Sequence, residues 1–154
     1  MKALGGKAGL IEAEAEDRRR FKREQAERLL ERAAFLPDPD RVLLELVLRE
    51  GRTLADVAAV RGVSYHALRR HFGRLLRRLA SDEFVFVTRQ LSPPHGGACP
   101  WGPIRRRVAE ACVLRGLSMR QASRVLNLSL HTVRTHRHAL SAMVESVRGA
   151  GSRS

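Results

Sequence analysis

After Glu83 this 154-residue sequence has almost no acid: Glu110 and Glu145 are its only carboxylate side chains beyond that point. So few carboxylates leave little with which to build an oxygen-ligated metal site there. Cysteine is equally scarce. Cys99 and Cys112 make no disulfide framework and lack the paired C-x-x-C spacing of a zinc site, and Cys112 falls on an apolar helical face as a core residue. Charges interrupt each hydrophobic stretch, so no apolar run approaches the roughly 20 residues of a membrane span. No secretory apolar region is present either, and these absences predict a cytoplasmic protein without membrane insertion. Nor does the sequence hold a phosphate loop or a nucleophile with a base at suggestive spacing. The expectation is a protein that is not an enzyme, with no metal, no cofactor and no small-molecule substrate.

What the chain has instead is arginine. Lys and Arg number 29 against 16 Asp and Glu, a net +13, and lysine appears only as Lys2, Lys7 and Lys22. Through Glu83 there are 18 basic and 14 acidic residues, a net +4; from Phe84 onward there are 11 and 2, a net +9. Such a balance favours a polyanionic partner, and the planar guanidinium suits phosphate or guanine because it donates two parallel hydrogen bonds.

An internal repeat organises the rest. Shifted by 65 residues, Glu45, Gly51, Val60, Ser64, His66, Arg69, His71 and Leu75 fall on Glu110, Gly116, Val125, Ser129, His131, Arg134, His136 and Leu140. Each copy reads as three helices. In the first, Asp40 is placed to cap a helix from Arg41 to about Glu50, with Val42, Leu43, Leu46 and Val47 on one face and Gly51 as its stop. Thr53 caps a short helix to Val60, with Asp56 at the capping-box position. Gly62 supplies a left-handed turn and Ser64 caps a third helix. Along that helix Tyr65, Leu68, Phe72, Leu75, Leu76 and Leu79 recur at helical spacing, leaving His66, Arg69, Arg70, Gly73, Arg74 and Arg77 outward.

The second copy follows the same plan. Pro103 opens a helix that stops at Gly116, Ser118 and Gln121 form a capping box, and Asn127 takes the left-handed position. Ser129 caps a helix with Leu130, Val133, Leu140, Val144 and Val147 inward and His131, Thr132, Arg134, Thr135 and His138 outward. Arg137 stands where the first copy has Phe72, so the second core is expected to be thinner there.

Outside the copies, residues 8–35 predict a helix of alternating charge that ends at Pro37. It reads either as a solvated helix packing through Phe21, Leu29, Leu30 and Leu36, or as a dimerisation or partner-docking element. Phe84 to Val87 reads as an extension of the preceding helix or a short strand. Ser92 to Pro103, with four prolines and three glycines, is a linker or compact loop whose Trp101 anchors the second copy. The expected fold is therefore all-α: a charged N-terminal helix (1–37), a first helix-turn-helix unit (38–82), a linker (83–102) and a second helix-turn-helix unit (103–148).

In a helix-turn-helix the second helix enters the major groove and presents its N-terminal side chains to base edges. The candidate contacts are His66, Arg69, Arg70 and Arg74 in one copy, and His131, Thr132, Arg134, Thr135, Arg137 and His138 in the other. Ser64 and Ser129 stand at the helix entrances, where a phosphate can also sit. The segment Gly51 to Phe72 (GRTLADVAAVRGVSYHALRRHF) resembles the fourth, DNA-binding region of bacterial RNA polymerase sigma factors. The segment Leu117 to His136 (LSMRQASRVLNLSLHTVRTH) is similar to the same superfamily and equally to LuxR-type regulators. The resemblance covers each helix-turn-helix, roughly half the chain. It implies promoter contact through Arg69, Arg70, Arg74, Arg134 and Arg137, and RNA polymerase as a further partner. The sequence shows no aromatic-rich promoter-melting region, receiver or ligand domain, which points to an accessory, sigma-like regulator.

Three readings compete. The first is a sequence-specific double-stranded DNA-binding transcription regulator using both units. The second is a protein-interaction adaptor docking RNA polymerase or another transcription component, steered by its basic surface. The third is the DNA-binding fragment of a recombinase or transposase whose catalytic carboxylates lie on another subunit.

Overall fold

Ala, Glu, Arg and Leu, all strong helix formers, dominate the N-terminal segment, and it is helical as α1 (Leu4–Ala33). The structure is a computed structural model describing residues 4–152; among these it is all-α, with eight α-helices and no strand. Only the last turns of α1 reach the body. Ala33 and the following Leu36 are buried and Leu29 and Leu30 partly so, whereas Phe21, expected to pack, is 59% exposed.

Helix α2 (Asp38–Leu44) starts three residues before the expected Arg41. Pro39 lies in its first turn, where a fixed φ suits a helix and no amide donor is needed. Asp40 is consequently not a cap. It sits inside the first turn, 2.7 Å from His71 Nε2 and 3.5 Å from Arg78 Nη2. The helix continues as a π-helical turn, Glu45–Arg49, closed by the Glu50 amide on the Glu45 carbonyl. Gly51, at φ 68°, then lets the Arg52 amide reach back to the Leu46 carbonyl at 2.9 Å. The buried face differs from the expected one. Leu43 and Leu44 are both fully buried because this helix lies against α1, while Val42 is exposed and Leu46 and Val47 are half-buried.

The same boundaries return 65 residues on. Helix α6 (Pro103–Ala109) runs into a π-helical turn, Glu110–Leu114, and Gly116 at φ 68° lets the Leu117 amide reach the Ala111 carbonyl. Helices α3 (Leu54–Arg61) and α7 (Met119–Leu126) share that offset, as do the starts of α4 (Tyr65–Ala80) and α8 (Leu130–Gly151).

Between them lies a helix in place of the expected linker. Ser81 ends α4 and caps α5 (Asp82–Leu91), its Oγ accepting from the Phe84 amide at 3.2 Å, and Asp82 and Glu83 complement the positive end of the helix dipole. Phe84 and Val87 are fully buried, and the short-strand alternative does not occur. Helix α5 packs against α4, the second π turn and α8. A single core therefore runs from Leu36, Leu43 and Leu44 through Leu75, Leu79, Phe84 and Val87 to Val113, Leu114 and Leu140. A satellite cluster of Val108, Ala111, Cys112, Ala122 and Val133 fills the second half, and burial pushes the Cys112 thiol pKa up. Only residues 92–102 remain as a loop, with Trp101 against Phe86 at 6.0 Å between ring centroids. No described helix is long and apolar enough to cross a membrane.

Candidate nucleic-acid interface

Two turns set the geometry. After α3 the chain reverses through Gly62 at φ 65°; after α7 it reverses through Asn127 at φ 54°, the one described non-glycine residue with positive φ. Asn tolerates this conformation better than other side chains. The following helices are capped alike: Ser64 Oγ accepts from the Ala67 amide at 3.4 Å, and Ser129 Oγ from the Thr132 amide at 3.0 Å. Ser118 and Gln121 close the full capping box ahead of α7. Thr53 accepts from the Asp56 amide, one arm of that arrangement; the shorter Asp side chain does not return the second.

Helix α4 carries Leu68, Phe72, Leu75 and Leu79 inward. Tyr65, expected with them, is exposed at the first helical position, its ring edge-to-face with His66 at 5.4 Å. His66, Arg69, Arg70, Arg74 and Arg77 are exposed, and among the described residues none of these arginines makes an ion pair or side-chain hydrogen bond. Helix α4 has no acidic residue, so nothing on it screens its positive charge. The pattern of exposed, unpaired guanidinium groups just beyond a capped turn is suited to an anionic partner.

Helix α8 divides its residues differently from the expectation. His131, Arg134, Thr135 and His138 are exposed, while Thr132 is half-buried with its Oγ1 2.7 Å from Ser129 Oγ. Thr135 Oγ1 donates to the His131 carbonyl, leaving its methyl and lone pairs outward. Arg137 is not on that face. Its guanidinium is three-quarters buried and grips Glu83 of α5 through both carboxylate oxygens, Nη2 donating to Oε2 at 2.9 Å. The site matching Phe72 is thus filled by a salt bridge between halves of the molecule, and Arg137 leaves the set of candidate contacts. Val147, expected inward, is exposed because α8 runs past the core.

The repeated histidines also part company. His71 bonds Asp40, whereas His136 accepts from Arg105 Nε at 3.4 Å, and Arg105 stands at the position matching Asp40. Arg78 lies half-buried between the Asp40 carboxylate and Gly116, where burial lowers its pKa more than Asp40 restores it. Sequence reasoning missed Arg120 and Arg124, exposed four residues apart on α7 without an ion-pair partner among the described residues. Their spacing on the helix ahead of the turn was the available signal. No protein family, curated protein or solved structure matches the chain.

Proposed function

We propose that the chain is a sequence-specific double-stranded DNA-binding transcription regulator, sigma-factor-like, that uses two tandem helix-turn-helix units. One observation carries the reading. The combination of a short helix, a left-handed turn and a serine-capped second helix occurs twice at one offset, and each second helix exposes arginine beside histidine. In this reading α4 and α8 enter neighbouring stretches of major groove, with Arg69, Arg70, Arg74 and Arg134 at base edges and phosphates. His66, His131, Thr135 and His138 make the shorter contacts. Ser64, Ser129 and Thr132 hold the helix entrances in shape, so their role is to position. Arg120 and Arg124 supply phosphate contacts from the preceding helix.

Replacing Arg69 and Arg134 with Ala tests this. Binding to a duplex probe, followed by fluorescence anisotropy, should weaken by at least tenfold with the fold unchanged, since each bidentate contact is worth about 1–3 kcal/mol. Unchanged affinity sinks the proposal.

A second reading, a protein-docking adaptor with RNA polymerase or another transcription component as partner, draws on a separate feature. Val60 is 88% exposed and Val63, just after the turn, is exposed too, apolar side chains to which the DNA reading assigns no contact. One unit docking protein while the other binds DNA accommodates both.

A further inference from the structure

Helix α1 is left largely without a partner by the fold. From Lys7 to Gln25 every side chain except Ala15 is exposed, a stretch of about 28 Å at the usual helical rise. Between Lys7 and Glu24 its charges are segregated: Glu12, Glu14, Glu16 and Asp17 come first, then Arg18, Arg19, Arg20, Lys22 and Arg23. Some of these are satisfied within the helix. Arg18 lies 4.0 Å from Glu14 and Arg20 lies 2.9 Å from Asp17.

Five are not. Glu12, Glu16, Arg19, Lys22 and Arg23 make no ion pair among the described residues. Four of these, Glu12, Glu16, Arg19 and Arg23, are spaced four, three and four residues apart and so lie on one stripe of the helix, with Lys22 at its edge. Along that stripe Glu12 neighbours Glu16 and Arg19 neighbours Arg23, like-charge pairs that disfavour an isolated helix, while the one opposite-charge step, Glu16 to Arg19, favours it. Run antiparallel against itself, the stripe is self-complementary. Glu12 then faces Arg23 of the second copy, Glu16 faces Arg19, and the two-fold axis passes between Asp17 and Arg18. An isologous contact requires this property, that residue i meets j while j meets i.

We propose that α1 is a homodimerisation element: the Glu12–Glu16–Arg19–Arg23 stripe pairs antiparallel with the same stripe of a second copy. The contact is electrostatic, with little apolar surface on the stripe. It therefore weakens as salt shortens the screening length from about 30 Å at 0.01 M to about 3 Å at 1 M. It does not depend on the DNA-binding reading, and it is tested without DNA.

The experiment is sedimentation velocity on the full chain at about 0.01 M and about 1 M salt. The wild type should sediment at twice its chain mass at low salt and as a monomer at high salt. Two charge-reversed chains, Glu12→Lys with Glu16→Lys and Arg19→Glu with Arg23→Glu, should each be monomeric at low salt. Mixed in equal amounts they should recover the dimer, because one stripe is then wholly basic and the other wholly acidic. A monomeric wild type at low salt, dimers in either variant alone, or no dimer in the mixture overturns the proposal. The substituted residues are all exposed, and recovery in the mixture shows directly that both variants remain folded.

Discussion

The Glu83–Arg137 pair joins α5 to α8 across 54 residues of sequence, with each side chain one-quarter exposed. Exposed pairs contribute about 0.2–1 kcal/mol, and breaking a fully buried one costs about 3–5 kcal/mol. Partial exposure and bidentate geometry place the coupling here at about 1–2 kcal/mol at low salt. The test is a double-mutant cycle with Glu83→Gln, Arg137→Gln and both together, read by urea unfolding. Each single variant should lower the midpoint by about 0.3–2 M, taking a slope of about 1–3 kcal/mol per molar. The double variant should regain much of that loss, because no unpaired half-buried charge remains. It also keeps the net charge of the wild type, so under the proposed function duplex DNA affinity should be unchanged. Coupling below about 0.3 kcal/mol would mean that the pair is merely solvated. A tenfold or greater loss of DNA affinity in the double variant would return Arg137 to the interface and refute its assignment as an internal strut.

Three further outcomes follow from the packing. Phe84→Ala, which empties the largest fully buried side chain, should cost about 3–5 kcal/mol, and unfolding should remain one transition because both halves share that core; calorimetry resolving two transitions would contradict it. Gly116→Ala should destabilise more than Gly51→Ala. Both sit at φ 68° and share a strain of about 1–2 kcal/mol, but at Gly116 the new methyl also displaces the Arg78 guanidinium, a difference that thermal melts would reveal. Gly73→Ala should stabilise α4 by about 0.5–1 kcal/mol, since Gly73 is mid-helix with open space where its Cβ would be; a lower melting temperature would mean that something unseen packs there.

Local punctuation was legible in the sequence. Gly62, Asn127, Gly51, Gly116 and the caps Thr53, Ser64, Ser118 and Ser129 announced their roles because each acts through a backbone conformation or a hydrogen bond three residues away. Long-range choices were not legible. Whether Arg137 points to solvent or to Glu83 depends on where α5 docks, and α5 was hidden because Ser81 both ends one helix and starts the next. Asp40 looked like a cap from its type alone, yet Pro39 starts the helix earlier and frees the carboxylate for His71 and Arg78. Tyr65 and Val147 fit the apolar period but lie at the ends of their helices, where the core no longer faces them. Among the candidate site residues, the exposed arginines were readable from helical phase. Two candidates face elsewhere: Thr132, half-buried against Ser129, and Arg137, at the position where the two copies differ in kind, Phe72 against Arg137.

The most direct measurement of the central claim is selection of bound duplexes from a random-sequence pool by the full chain at physiological salt. The account predicts an enriched motif longer than one reading helix can cover, because α4 and α8 each take a stretch of major groove, with affinity falling steeply as salt rises. A pool that yields no enriched motif would contradict it.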